Sequence, residues 1–254
     1  MPIEWLTPCW PVPPKVRALS TLRGGGVSTG RYASLNLGGH VEDAPEAVAE
    51  NRRRLRSAAT LPAEPRWLAQ VHGVGIADLD TPPADPGAPA PEASVAEADA
   101  AVTRMPGRIC AILTADCLPI LIASEGGDAV AAAHAGWRGL AGGVIEAAVK
   151  ALGSPPNSLL AWLGPAIGPG HFEVGPEVRE ALLRGDPGAH TAFVANARGR
   201  FMADLPGLAR RRLERLGITR IYGGGECTHA EAGRYFSHRR DGQTGRQATL
   251  VWLE

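Results

Sequence analysis

TADCLPILIASEGGDAVAAAHAGWRG, residues 114–139, contains two apolar runs, LPILIA and AVAAAH. With ICAILT (109–114) just before them, these short aliphatic runs predict strands that are paired and covered on both faces. Cys117 opens the first run of the hairpin-like stretch and His134 closes the second. A core needs neither a thiol nor an imidazole there, so both residues become candidates for chemistry.

Outward from this stretch, Leu140, Val144, Ile145, Ala148 and Leu152 recur at helical spacing and Gly153 stands at the expected stop. His134-Ala-Gly-Trp-Arg-Gly139 therefore falls on a strand-to-helix turn. DAPEAVAENRRRLRSAA (43–59) predicts a helix whose Asp43 and Glu46 form a capping box, with Pro45 in the first turn and Val48 and Leu55 buried. DLPGLARRRLERLG (204–217) predicts a second, with Asp204 as N-cap, Leu205, Leu208, Ala209 and Leu216 buried, and Gly217 at the end. RWLAQVHGVGIADL (66–79) reads as a strand turning at His72-Gly73, and IYGGG and ATLVWL supply the last strands.

Strands and helices alternate without the steady period of a barrel or a doubly wound sheet. The expectation is an α/β (α+β) fold, a compact single domain over residues 1–254 with mixed β-sheets flanked by helices. Residues 81–97, dense in Pro and Ala with no apolar period, are expected to form a surface excursion.

Lys plus Arg equals Asp plus Glu at 26 each, which leaves no global field to attract nucleic acid or an anionic membrane. The basic groups Arg52, Arg53, Arg54, Arg56 and Arg210, Arg211, Arg212 fall on the two predicted helices and read as solvated faces. No stretch approaches the roughly 20 apolar residues of a membrane span, and the Pro-rich start is unlike a secretory signal. Four cysteines in 254 residues make no disulfide framework, so a reduced, cytoplasmic protein, monomeric or homodimeric, is expected.

His72, Cys117 and His134 share predicted strand ends or turns, where a scaffold displays side chains into a cleft. Two imidazoles and one thiolate make a three-ligand zinc set with the fourth position open, the pattern of a catalytic site. The plain alternative also stands: a small buried cysteine and two hydrogen-bonded turn histidines. Gly136 and Gly139 permit close backbone approach, and Trp137 and Arg138 offer a stacking surface and a planar cation for a flat polar ligand. The triple glycine 24–26 beside Arg23 is either an anion-binding turn or an ordinary hairpin turn. FSHRRDGQTGR (236–246) concentrates His238, Arg239, Arg240, Asp241 and Arg246 in one loop. Cys227-Thr-His229 can hold a metal or be structural, and Cys110 belongs in the core.

STLRGGGVSTGRYASLNLG, WLAQVHG, LTADCLPILIA, AAAHAGWRGLAGGVIEAAV, AWLGPAIGPGHFEVG and CTHAEAGRYFSHRRDGQTGR resemble, in order and spacing, the blocks of the YfiH-like proteins. These are also called the laccase-domain, multicopper polyphenol oxidoreductase or peptidoglycan-editing-factor family. The resemblance runs from about Leu19 to the C-terminus. It implies a YfiH-like fold related in shape to deamidase toxins of the cytotoxic-necrotizing-factor type. It also implies a zinc-dependent purine nucleoside enzyme that splits adenosine, inosine, guanosine or methylthioadenosine with phosphate into base and ribose 1-phosphate, and deaminates adenosine.

The family's metal ligands, which are also its catalytic residues, fall on His72, Cys117 and His134; Arg23 with its glycine turn is the phosphate candidate, and Asn36, Gln70, Arg138 and Arg239 are further expected substrate-binding residues. His171 occupies a position that varies among relatives, often as Cys. The H-x-E and P-C-x-x-C signature of nucleobase deaminases is absent, and strand alternation turns Asp116 away from its neighbour Cys117. Copper is the alternative ion, and copper-dependent oxidation of phenols the alternative activity. A His2Cys site binds copper tightly, but seven histidines without an H-x-H pair do not assemble a cluster of several coppers. A second alternative is a Cys117–His134 amidase acting on cell-wall precursors.

Overall fold

A computed structural model describes residues 1–81 and 96–254. Most of the expected 81–97 excursion lies outside the described residues; at its end, Glu97 bridges Ala69.

The described residues form two main sheets and one small one. The first is β1 (Trp5–Leu6), β2 (Val16–Thr21), β13 (Gln247–Leu253) and β5 (Ile109–Thr114), in that order and antiparallel throughout. The second runs β12 (Arg220–Gly223), β8 (Leu159–Leu163), β6 (Leu118–Ser124), β7 (Val130–Ala135), β4 (Ala100–Thr103) and β3 (Ile76–Asp78). It is mixed: β12 with β8 and β3 with β4 are parallel, the rest antiparallel. A small antiparallel sheet joins β10 (Phe193–Ala195), β11 (Phe201–Ala203) and β9 (Glu173–Val174).

Alternation along the strands explains how these sheets stack. On β5, Cys110 and Ile112 meet Leu121, Ala123, Val130 and Ala132 of the second sheet, while Ile109, Ala111 and Leu113 face away. Those outward residues are covered by Leu35, Leu37 and Leu55, the last from α1 (Pro45–Ala58). The opposite face of the second sheet, through Ile120, Ile122, Ala131 and Ala133, packs on α3 (Val144–Leu152), α4 (Pro176–Arg184) and α5 (Leu205–Arg215). The result is a four-layer helix–sheet–sheet–helix arrangement. Every residue of β5, β6 and β7 is buried, as covering on both faces requires.

Three local expectations change. The helix foreseen across Leu140–Leu152 is two helices, α2 (Trp137–Gly142) and α3, broken where Gly143 turns left-handed at φ +98°. Asp43 does not cap α1. Its carboxylate accepts from Ser28 Oγ and Asn36 Nδ2, and Ala44 takes the cap position. Residues 66–72 form only isolated bridges, leaving β3 as the one regular strand of that segment.

Asp204 does cap α5, accepting from the Gly207 amide at 2.9 Å. The arginines of the two helices are engaged within the molecule: Arg53 and Arg54 with Glu50, Arg211 with Asp186, Arg212 with Glu146 and Arg210 with the carbonyls of Ile221 and Gly223. Among the described residues no helix is long and apolar enough to cross a membrane.

Candidate metal centre

The β6–β7 hairpin pairs Leu118 with Ala135 and Pro119 with His134. One step further along the ladder, Cys117 comes opposite Gly136. A Cβ on Gly136 would lie 2.9 Å from Cys117 Sγ and 3.0 Å from His72 Cδ2, so only glycine leaves room for the two ligands. His72 arrives from the other side of the sheet edge, on the turn before β3, with a left-handed φ of +61°.

The donor atoms of His72, Cys117 and His134 lie within 4.8 Å of one another, and His72 Nε2 is 3.8 Å from Cys117 Sγ. The two imidazole rings meet edge to face at 4.8 Å between centroids. Tetrahedral zinc with bonds of about 2.0–2.3 Å needs donors about 3.4–3.6 Å apart, so small side-chain rotations close this set on an ion. Two nitrogens and one sulfur suit a borderline-soft ion such as zinc, and the exposed His72 leaves one flank open. It is the one group of at least three such side chains that meets these spacings among the described residues.

A residue the sequence reading missed holds this arrangement. Asp99, fully buried just before β4, pairs its Oδ1 with His134 Nδ1 at 2.8 Å. That contact leaves Nε2 of His134 for the cluster. The same carboxylate accepts from the backbone amides of Val71, His72 and Gly73 at 3.2, 2.9 and 2.6 Å, which stabilises the left-handed turn carrying His72. The Asp99 carbonyl accepts from the His134 amide as well. Burial alone would raise the Asp99 pKa, but the bond to His134 and the amides of Gly73 and Val71 outweigh it and hold the group ionised.

Electrostatics within the cluster favour a thiolate beside an imidazolium when no metal is bound. Burial opposes the charge on Cys117, but His134 and His72 override it and bring the thiol down to about 6. Burial likewise opposes the charge on His134, yet Cys117 and Asp99 push it up to about 9. His40, also unforeseen, has an imidazole partly desolvated by its neighbours and stands close enough to feel this cluster. Burial lowers its pKa first, then the charges of Arg246, Arg52, His134 and His72. Burial lowers the Arg246 pKa, with Cys117 and Asp116 opposing, and its guanidinium donates to the carbonyls of Thr244 and Gly245.

The other expected residues divide. Arg138 is exposed on α2, 4.4 Å over the ring of Trp137, which is partly buried against the core. Arg239 donates its backbone amide to Asp116 and its guanidinium to the Glu173 carbonyl. Gln70 is engaged at both ends of its amide by the backbone of Leu113. Asn36 is fully buried and bonded to Asp43, Gly38 and Arg246, which places it in the loop scaffold. Arg23 is likewise engaged by the carbonyls of Ala33, Ala232 and Tyr235. The amides of Gly26 and Val27 go to Ser34 and Asn51, so the glycine turn braces its neighbours instead of opening toward an anion. Asp116 bonds Thr228 Oγ1 and the Arg239 amide; it lies with Cys117 in the bend between β5 and β6, at φ +88°, so strand alternation does not set its direction.

Comparison with known proteins fits this picture. The family model described as multi-copper polyphenol oxidoreductase laccase matches residues 17–254. The chain belongs to this YfiH-like, laccase-domain family. A protein of Pseudomonas aeruginosa named purine nucleoside phosphorylase is 54% identical over 251 residues, covering 98% of each chain. The Escherichia coli K12 protein named purine nucleoside phosphorylase YfiH is 48% identical over 248 residues, again 98% of each. Among solved structures, Neisseria meningitidis protein NMB0706 superposes with a TM-score of 0.89 at 46% identity, covering 98% of this chain and 99% of its own. YlmD from Geobacillus stearothermophilus gives 0.85 at 34%, covering 95% and 93%. With such relatives spanning its length, this family member is an enzyme.

Proposed function

We propose that the protein is a zinc-dependent purine nucleoside phosphorylase that also deaminates adenosine, with His72, Cys117 and His134 as metal ligands and catalytic residues. The observation that carries this reading is the open three-donor cluster of two nitrogens and a sulfur, in a chain about half identical to proteins named for that activity. The mixed nitrogen and sulfur donors favour zinc over the several coppers in the family's description.

Zinc, when bound, supplies a Lewis acid that polarises substrate oxygen or nitrogen and lowers the pKa of water. The chain's own residues do the rest. Asp99 fixes the tautomer and direction of His134, and Gly136 keeps the entrance clear. Arg138, exposed and stacked on Trp137, offers a planar cation against which a purine can lie. Phosphorolysis loosens the bond between ribose and base while phosphate is held in line; Arg23, Arg52 and Arg246 already donate to backbone carbonyls, which leaves the exposed Arg138 as the freer cation for that anion.

Incubating the protein with adenosine and with inosine, with and without phosphate, and separating the products tests the reading. Ribose 1-phosphate and free base should form only with phosphate, inosine should appear from adenosine without it, and Cys117→Ala and His134→Ala should yield neither. Turnover persisting in both variants overturns it.

A further inference from the structure

A second group of nucleophilic and basic side chains lies on the far side of Asp116 and takes no part in the metal centre. Cys227 Sγ is 3.5 Å from His171 Nδ1, and the His171 ring stacks on His229 with 4.4 Å between centroids and 23° between planes. The near-parallel stack sets the two rings side by side instead of converging on a common ion, so the group reads as a thiol, a base and a ring that orients the base. The sulfur also accepts from the Gly168 amide at 3.2 Å. A Cβ on Gly168 would sit 3.1 Å from that sulfur, so the close approach of the amide depends on glycine. The Gly168 carbonyl closes the turn that presents His171, accepting from its amide at 3.0 Å.

The four cysteines differ sharply in their surroundings. Cys110 is fully buried and its thiol is pushed far up by burial. Cys9 is exposed, and among the described residues no base contacts its sulfur. Cys117 belongs to the metal cluster. Cys227 alone joins partial exposure to an adjacent imidazole and an amide donor.

Thr228, the next residue along the chain, ties Cys227 to the centre. It donates its hydroxyl to Asp116 Oδ1 at 2.6 Å and its amide to the Ala166 carbonyl at 3.0 Å. Asp116 holds φ +88° and directly precedes Cys117, with the amides of Ile167 and Arg239 bonded to its carbonyl and carboxylate. A group added at Sγ competes for space with the closely packed Gly168 beside this strut.

We propose that Cys227 is a thiol-modification site that exchanges with small disulfides and thereby loosens the Thr228–Asp116 strut behind Cys117. In the exchange His171 Nδ1 accepts the thiol proton and Sγ attacks one sulfur of the disulfide. The sulfur–sulfur bond breaks, a mixed disulfide forms on Cys227, and the released thiolate takes the proton from His171. A free thiol reverses the step. The proposal is independent of the nucleoside reading.

The test uses the zinc-supplied full chain treated with glutathione disulfide and followed by peptide mass mapping, with the exposed Cys9 of the same molecule as the internal standard. Cys227 should be modified about tenfold faster than Cys9, and His171→Ala or, if that variant folds poorly, His171→Asn should remove that advantage. Equal rates at the two cysteines, or an advantage that survives both variants, overturn the assignment. Amide hydrogen exchange on the modified protein should be faster at Ile167, Thr228 and Arg239 than before modification, and unaffected by the same treatment in Cys227→Ser. Unchanged exchange in the modified wild type overturns the coupling to the strut.

Discussion

The buried carboxylate of Asp99 joins His134 Nδ1 at 2.8 Å while gripping three amides of the turn that carries His72. One side chain therefore sets the direction of both imidazoles. Replacing it should weaken metal binding more than it disturbs the fold. Asp99→Asn keeps the shape but weakens the acceptor, and should lower zinc affinity about 10–100-fold, the usual effect of losing a partner behind a histidine ligand. Competition with a chromogenic chelator measures this, with circular dichroism confirming an intact fold.

Gly136→Ala places a methyl group 2.9 Å from Cys117 Sγ and 3.0 Å from His72 Cδ2. Both ligands must move apart. The variant should fold, since Gly136 has an extended backbone open to any residue, yet bind zinc at least tenfold more weakly in the same chelator assay.

Proton displacement fixes the pH dependence of metal binding. With Cys117 lowered to about 6 and His134 raised to about 9, the metal-free site at pH 7–9 holds a thiolate and an imidazolium. Binding a metal in that range releases the His134 proton. Zinc affinity should accordingly rise about tenfold per pH unit from pH 7 and level off above about 9. Alkylation of Cys117 in metal-free protein should titrate near pH 6 and be suppressed by zinc. A flat affinity profile from pH 7 to 9 speaks against the ion pair.

Much of this centre was legible in the sequence because strands announce themselves by aliphatic runs, and Cys117 and His134 interrupt such runs at their ends. The paired register of β6 and β7 comes from the same pattern. Asp99 was not legible: its partners His134 and His72 are 35 and 27 positions away, and nothing local distinguishes it from the acids before it. Its one signal was a charged residue at the threshold of the fully apolar AAV of β4.

Arg23 is a phosphate candidate in the sequence because its guanidinium stands beside the triple glycine, and Asn36 lies in the same family block. The burial of Asn36 and the carbonyl partners of the half-buried Arg23 depend on the C-terminal loop folding back on them, a tertiary fact no local pattern carries. The break at Gly143 was visible as a glycine, but the helical period continued through it.

Stability should reside between the two sheets. Leu121 is fully buried there among residues of both sheets. Leu121→Ala should cost about 2–5 kcal/mol in urea unfolding, with the metal-free protein compared throughout. A loss well under 1 kcal/mol would mean the sheets do not pack as described.

Metal stoichiometry by mass spectrometry, on protein produced in medium with zinc and without added copper, addresses the central claim most directly. One zinc per chain in the wild type, and almost none in Cys117→Ala and His134→Ala, is the predicted result. Zinc retained in full by both variants, or copper at stoichiometry with zinc absent, would contradict it.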